Sequence, residues 1–374
     1  MEPFYTTRVM LPLTRVITSF VSLWSSGKER RIMKNMRNRI MIVVLLCCLM
    51  TSFGYTQADQ KLAQTGFQFL SVISDARGAA MGEAMTSLET GSSSLFFNPA
   101  GMAGMKNSVD ASISVNQWIA DIKHYTFGLV FNPGANIGVF GVSAQSVNYG
   151  DFYGTVVDRT SDLGFRDTGI FKLNAMAVGI GYAKQLTDKF SVGGQVRLVH
   201  QDLGPSQIPA TIQRDNVTID TIETVSNKLM PLVFDFGTQF KTGFESLVFG
   251  MSVRNFSKEV KYAQEGFQAP LVFNLGISMN VLDLLPEVPA NQVLYISIDA
   301  THFRDHPEQI KVGLEYSFMN ILKLRGGYVS KSDYDQSSLS YGLGVAYSGI
   351  SFDYAYTPFG VFTKVQRISA RITY

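Results

Sequence analysis

The last ten residues, Val365 to Tyr374, place Ile368, Ala370, Ile372 and Tyr374 on one face of an extended chain and Arg367, Ser369, Arg371 and Thr373 on the other. Side chains of a strand alternate with a period of two. A closing strand whose apolar face stops on an aromatic carboxy-terminus is the usual end of an outer-membrane barrel. The pattern does not stand alone. From Ser108 onward, fourteen segments have the alternation of a strand. Tyr125, Phe127, Leu129 and Phe131 oppose His124, Thr126 and Gly128; Ile310, Val312, Leu314, Tyr316 and Phe318 oppose Lys311, Gly313, Glu315 and Ser317; Leu339, Tyr341, Leu343, Val345 and Tyr347 oppose Ser340, Gly342 and Gly344.

Alternation is shared by soluble sandwiches, which pack the apolar face inward, and membrane barrels, which turn it outward. Three further features decide between them. The segments run about 9–12 residues, the length a tilted strand needs to cross a bilayer, whereas soluble strands cluster at about 5–6. Tyr and Phe gather at the ends of the apolar faces, as an interfacial girdle requires. Connections also alternate in length. Short ones fall at 132–136, 185–189, 241–246, 318–321 and 347–350, on the side of a longer link at 280–292. The opposite side carries 147–171, 201–230, 256–268, 303–308, 330–338 and 357–364, with a shorter one near 117–122. Periplasmic turns are short and outer loops long in such barrels. The sequence therefore predicts an all-β fold, a transmembrane antiparallel β-barrel of about 14 strands over 108–374 in the cell outer membrane. Tyr374 is the candidate assembly signal, and outer-membrane lipid and the barrel-assembly machinery are the expected partners.

The net charge of +2 is unevenly distributed. Residues 1–57 hold eight Lys/Arg against Glu2 and Glu29, so the chain from Ala58 onward carries −4 and offers no basic body to a nucleic acid. The longest unbroken apolar run, Ile40–Met50, is too short for a spanning helix. Preceded by Lys34, Arg37 and Arg39 and followed by small residues, it reads as a secretory h-region. Residues 33–58 are thus expected to be a signal peptide cleaved near Thr56 or Ala58, and 1–32 an over-extended start or a longer n-region. Cys47 and Cys48, the two cysteines, lie inside that run, which removes disulfides and thiolate metal sites from the expected mature chain.

Residues 59–107 break the strand pattern. Their core reads Asp75-Ala-Arg-Gly78, Met81-Gly82-Glu-Ala84 and Phe97-Asn-Pro-Ala-Gly-Met102. Gly78 and Gly82 permit close backbone approach. Ser92–Phe97 can make a helical turn that stops before Asn98-Pro99, because a residue preceding proline is pushed from the helical region. A compact hatch segment inside the barrel is expected, since wide barrels are often plugged.

These residues resemble the amino-terminal signature of the PorV/PorQ family, barrels similar to the FadL fatty-acid transporters and associated with type IX secretion, and the wording is closer to PorV. The resemblance makes Asp75, Arg77, Gly78, Met81, Gly82, Asn98, Pro99 and Gly101 family-typical, with a structural role in the hatch. It implies a non-enzymatic component of a type IX-like secretion and surface-attachment pathway. Its partners would be translocon or attachment-complex proteins and the carboxy-terminal domains of cargo, received on the outer loops. The alternative is a FadL-like passive channel for hydrophobic small molecules.

No chemistry competes with these readings. The sequence has no Gly-x-Ser-x-Gly elbow, phosphate loop or His-Glu-x-x-His, so no catalytic, metal or cofactor site is expected. His302 and His306 flank Asp305 in an expected outer loop and read as solvated, since i,i+4 spacing needs a helix to converge on a metal. Gly179-x-Gly181 and Gly342-x-Gly344 read as inner-wall positions that leave room in the lumen. Asp110, Arg197, Asp235, Arg254, Asp299, Lys311, Glu315, Lys323, Arg325, Asp353, Arg367 and Arg371 fall on polar faces with mixed signs, as a self-neutralising lumen requires.

Overall fold

A computed structural model describes residues 65–134, 136–158, 161–214, 217–262, 265–287, 291–330, 338–359 and 365–374, with backbone only for 207–222. The expected signal peptide and residues 59–64 lie outside them. The strands are β1 (Val109–Gln117), β2 (Lys123–Phe131), β3 (Val139–Val157), β4 (Phe165–Thr187), β5 (Phe190–Arg214), β6 (Val217–Leu229), β7 (Leu232–Lys241), β8 (Val248–Ser257), β9 (Val260–Lys261), β10 (Gly266–Phe267), β11 (Val272–Asn280), β12 (Gln292–Phe303), β13 (Gln309–Phe318), β14 (Leu322–Val329), β15 (Leu339–Tyr347), β16 (Ile350–Thr357) and β17 (Val365–Thr373).

Among the described residues, fourteen of these form a closed antiparallel ring: β1 to β5, β7, β8 and β11 to β17. The seam joins β17 to β1, with Ala370 opposite Ile113 and Arg367 opposite Asn116. Beyond the ladder, Tyr374 and Val109 exchange both backbone hydrogen bonds at 2.9 Å. Closure matters because hydrocarbon supplies no partners for a free sheet edge. β5 divides its length, pairing β4 and β7 below and β6 above.

The ring is inside out relative to a soluble sheet. Along β2, Tyr125, Phe127, Leu129 and Phe131 are exposed while His124, Thr126, Gly128 and Val130 are buried. The same holds around the wall, where Leu343, Phe352 and Ile368 face outward and Ser252, Asn274, Glu315 and Ser369 face inward. A belt of exposed aliphatic and aromatic side chains on a closed barrel is stable only against lipid, which excludes the sandwich. The protein is an outer-membrane β-barrel. Short turns follow the expected chemistry: Ser348 and Gly349 both have positive φ (49° and 82°), as a two-residue hairpin requires.

Two expectations need correction. The segments 147–171 and 201–230 are not irregular loops, because β3, β4 and β5 run to 19, 23 and 25 residues and rise beyond the ring as two long hairpins. Their strand character was hidden by a change of surroundings. Both faces of the β3/β4 hairpin are exposed, so no apolar face marks the period, and an irregularity between Asn148 and Asp151 shifts the register. The second hairpin is completed by β6, Val217–Leu229, which pairs with the upper part of β5. Val281–Leu284 form a 3-10 turn, and Leu285 N donates to Leu282 O at 3.0 Å.

Candidate functional site in the lumen

Residues 65–106 lie inside the ring. Thr65 bridges to Gln268 at the end that carries the hairpins, and Asn132 donates to Met105 O (2.8 Å) at the end of short turns. Between them the segment folds as 3-10 turns at Gln68–Ser71, Gly91–Phe96 and Pro99–Met102 around a short helix, α1 (Ala76–Ala80). Inward polar side chains from around the wall take up its backbone groups. Gln145 donates to Phe69 O (2.9 Å), Asn116 to Ile73 O (3.2 Å), Ser340 to Ala80 O (3.2 Å) and Gln239 to Leu88 O (3.1 Å). Ala76 N donates to Ser369 Oγ (2.8 Å) and Thr86 N to Asp299 (2.9 Å). An irregular buried segment needs such partners, since it has no ladder of its own.

The sequence motif supplies the joints of this packing. Asp75 caps α1 by accepting from Gly78 N (2.6 Å) and also takes Ser93 Oγ (2.9 Å). Arg77 donates twice to Glu315, at 2.8 Å each. Glu315 in turn holds Arg325 (2.6 Å), which reaches Asp353 (2.7 Å), so four alternating charges form one chain of ion pairs. Gly78 lies under the Phe97 ring, which a Cβ there would overlap. Met81 is buried with Ile73, Met85, Leu88 and Phe97. Gly82, at φ +59°, would set a Cβ 2.9 Å from Tyr328 N of the wall. Asn98 donates to Thr86 O (2.7 Å) and Thr238 O (3.1 Å), and Pro99 rests on Gly193. A Cβ on Gly101 would stand 2.6 Å from Ser94 Oγ. The eight motif residues therefore lie together in the lumen, whereas Tyr374 sits at the outer seam. The wall glycines divide: Gly181 and Gly342 make room for Leu95 and Ala80, while Gly179 and Gly344 clear space for the wall's own Arg197 and Asp353.

The inward charges are largely paired. Arg197 donates to Asp235 (2.8 Å), Arg371 to Asp110 (2.6 Å) and Lys311 to Glu83 (2.7 Å). Burial opposes ionisation of Glu83, but Lys311, Arg367 and Arg254 together hold its carboxyl below the usual range. His306 departs from the solvated reading, because its Nδ1 pairs with Asp305 at 2.7 Å. Asp305 is buried and also accepts from Thr65 and from Gln68 (2.8 Å), so it clasps the start of the lumen segment. Burial alone would raise its pKa, yet these three donors hold it well below the carboxylate range. His302, on the exposed face, pairs with Glu308 at 3.0 Å. Among the described residues, no cluster of three or more metal-ligating side chains occurs.

Near the hairpin end the inner wall changes character. Val147, Ala175, Ala177, Val199, Val233 and Ala269 form a buried cluster with Phe67, Phe69 and Leu70 of the segment, flanked by Tyr149 and Phe267. Sequence reasoning did not single these out. The available signal was the departure of successive strands from a polar inner face at matching height. Below this cluster lie two cavities of about 20 Å³ that share Ile73 and Arg254. A larger one, about 340 Å³, opens among Arg77, Ser87, Leu88, Glu89, Lys241 and Tyr295.

No family model matches the sequence, and no curated protein sequence does. Solved structures share the fold. The Ralstonia pickettii toluene transporter TbuX aligns with a TM-score of 0.52 at 13% identity, covering 83% of this chain and 98% of that one. The Pseudomonas putida toluene transporter TodX gives 0.52 at 15% identity over 84% and 99%. A Pseudomonas aeruginosa FadL homologue gives 0.51 at 14% identity over 80% and 98%. The chain has the FadL-type outer-membrane barrel fold.

Proposed function

We propose that this barrel is a passive, non-enzymatic outer-membrane channel for hydrophobic small molecules, with residues 65–106 as its hatch. The observation that carries this reading is the apolar cluster inside the wall at the hairpin end, filled in this conformation by Phe67, Phe69 and Leu70. Apolar side chains facing a lumen give water nothing to bind, but they give a hydrophobic solute a site once the hatch residues withdraw. The structures of similar fold include proteins named as toluene transporters, which supports the same class of cargo. The test is entry of labelled toluene and of labelled octanoate into cells with and without the gene. Uptake should depend on the gene and fall when Val199 and Val233 are both changed to Asp. Equal entry in all three strains would sink the channel reading.

A second reading, a type IX-like secretion and attachment component, rests on the sequence resemblance to PorV and on one feature of the hairpins. β6 pairs with β5 alone among the described residues, leaving a 13-residue strand with one open edge. Such an edge accepts an extended partner by strand addition. Crosslinked pull-down of the mature protein tests it, since recovery of proteins sharing a carboxy-terminal β-domain would favour this reading over the channel.

A further inference from the structure

Arg254 and Arg367 are buried in the lumen, and no carboxylate lies within ion-pair distance of either among the described residues. Arg254 gives one donor to Phe96 O, and Arg367 donates to Ile73 O (2.8 Å) and Thr357 (2.9 Å). Backbone carbonyls accept hydrogen bonds but do not cancel a full charge. An uncompensated buried charge is expensive, so a further partner is expected wherever there is room for one.

There is room beside Arg254. The second of the small cavities, about 20 Å³, is lined by Arg254, Lys311, Glu83, Asn274 and Thr86, with Phe97 among its apolar neighbours. That volume holds one water-sized particle. Its charged lining comprises two cations and one carboxylate, and Glu83 is already bonded to Lys311 at 2.7 Å. Asp299, the register partner of Lys311, is not part of the lining and gives one oxygen to Thr86 N at 2.9 Å. The lining alone therefore carries one positive charge in excess, with Asp299 behind it on the Thr86 side. The Asn274 amide, which gives one N–H to Ser252 Oγ at 3.2 Å, brings a second N–H to the lining.

We infer that this cavity is a binding site for one compact monovalent anion, held by Arg254 and Lys311. The anion is a single free ion, such as chloride. The proposal does not depend on the channel reading, because occupancy there would neutralise Arg254 whether or not a hydrophobic solute passes.

The experiment titrates the purified mature barrel with sodium chloride at constant ionic strength, using gluconate, too large for the cavity, as the replacement anion. Heat-unfolding midpoint is the readout. A saturable rise with chloride and bromide, absent with gluconate, is expected. Arg254→Gln should weaken the apparent affinity by about tenfold or more, the loss of one hydrogen bond to a charge. Lys189→Gln, on the exposed turn, should leave it unchanged. Should Arg254→Gln fail to fold, bromide soaked into crystals of the unaltered protein and located by anomalous scattering beside Arg254 decides the matter. Identical midpoints in chloride and gluconate, with no bromide beside Arg254, would overturn the proposal.

Discussion

Gly82 shows how much one backbone position carries in a lumen this tightly filled. Its positive φ and the 2.9 Å from a built Cβ to Tyr328 N leave a side chain nowhere to go, because the opposing atom is wall backbone rather than a movable chain end. Gly82→Val should cost about 1–3 kcal/mol through overpacking and loosen the packing of residues 65–106 against the wall. Conductance in planar bilayers should rise, and equal, low conductance in both proteins would show that Gly82 seals nothing. Asp305 makes a second residue-scale case. A carboxyl whose folded pKa is depressed contributes stability above its unfolded pKa, about 3.9, and loses it as pH falls toward the folded value. The clasp on Thr65 and Gln68 should therefore hold across neutral pH and slacken only below about pH 4. Hydrogen exchange at residues 65–70 reads this, with Asp305→Asn expected to be loose at every pH. The motif residues were visible in the sequence because glycine and proline signal backbone need. His306 was not, since its buried partner Asp305 is a neighbour that solvent accessibility alone distinguishes from an ordinary loop acid.

At the scale of elements, legibility followed the environment of each strand. Where one face meets lipid and the other the polar lumen, as in β2 or β15, the period of two is written in the residues and the boundaries fall within a residue or so of expectation. Where β3 and β4 leave the ring, both faces meet water and the contrast vanishes. The apolar cluster failed for the opposite reason, because Val147, Val199 and Val233 make the inner face as apolar as the outer. Two predictions belong here. Replacing residues 205–228 by a tight turn should leave the barrel inserted, because β5 keeps its ring pairing with β4 and β7 through Phe190–Leu198. Hydrophobic uptake should persist, whereas any capture of a β-rich cargo domain in pull-downs should be lost; retained capture would remove the strand-addition role from β6. Tyr374→Asp should impair insertion, since that residue completes both the seam and the apolar face of β17. Heat-modifiable mobility on gels measures the folded fraction, and an unchanged yield would refute the assembly role.

For the whole molecule, the inversion of inside and outside sets the sign of every charge substitution. Leu343, midway along β15, is 54% exposed and points toward the hydrocarbon. Arg325, one strand away and paired with Gly342, is buried on the lumen side between Glu315 and Asp353. The same guanidinium thus belongs at one address and not at the other. Leu343→Arg should destabilise the folded barrel by about 2–4 kcal/mol, the cost of arginine near the bilayer midplane. Arg325→Ala should cost about 3–5 kcal/mol, because Glu315 keeps only Arg77 and Asp353 is left without its partner in a water-poor interior. In a soluble sheet of the same sequence the order would invert, with arginine at position 343 accepted by solvent at little cost. Denaturant unfolding in lipid vesicles measures both. A neutral Leu343→Arg would mean that this face does not meet lipid, and the outward orientation of the whole wall would fall with it.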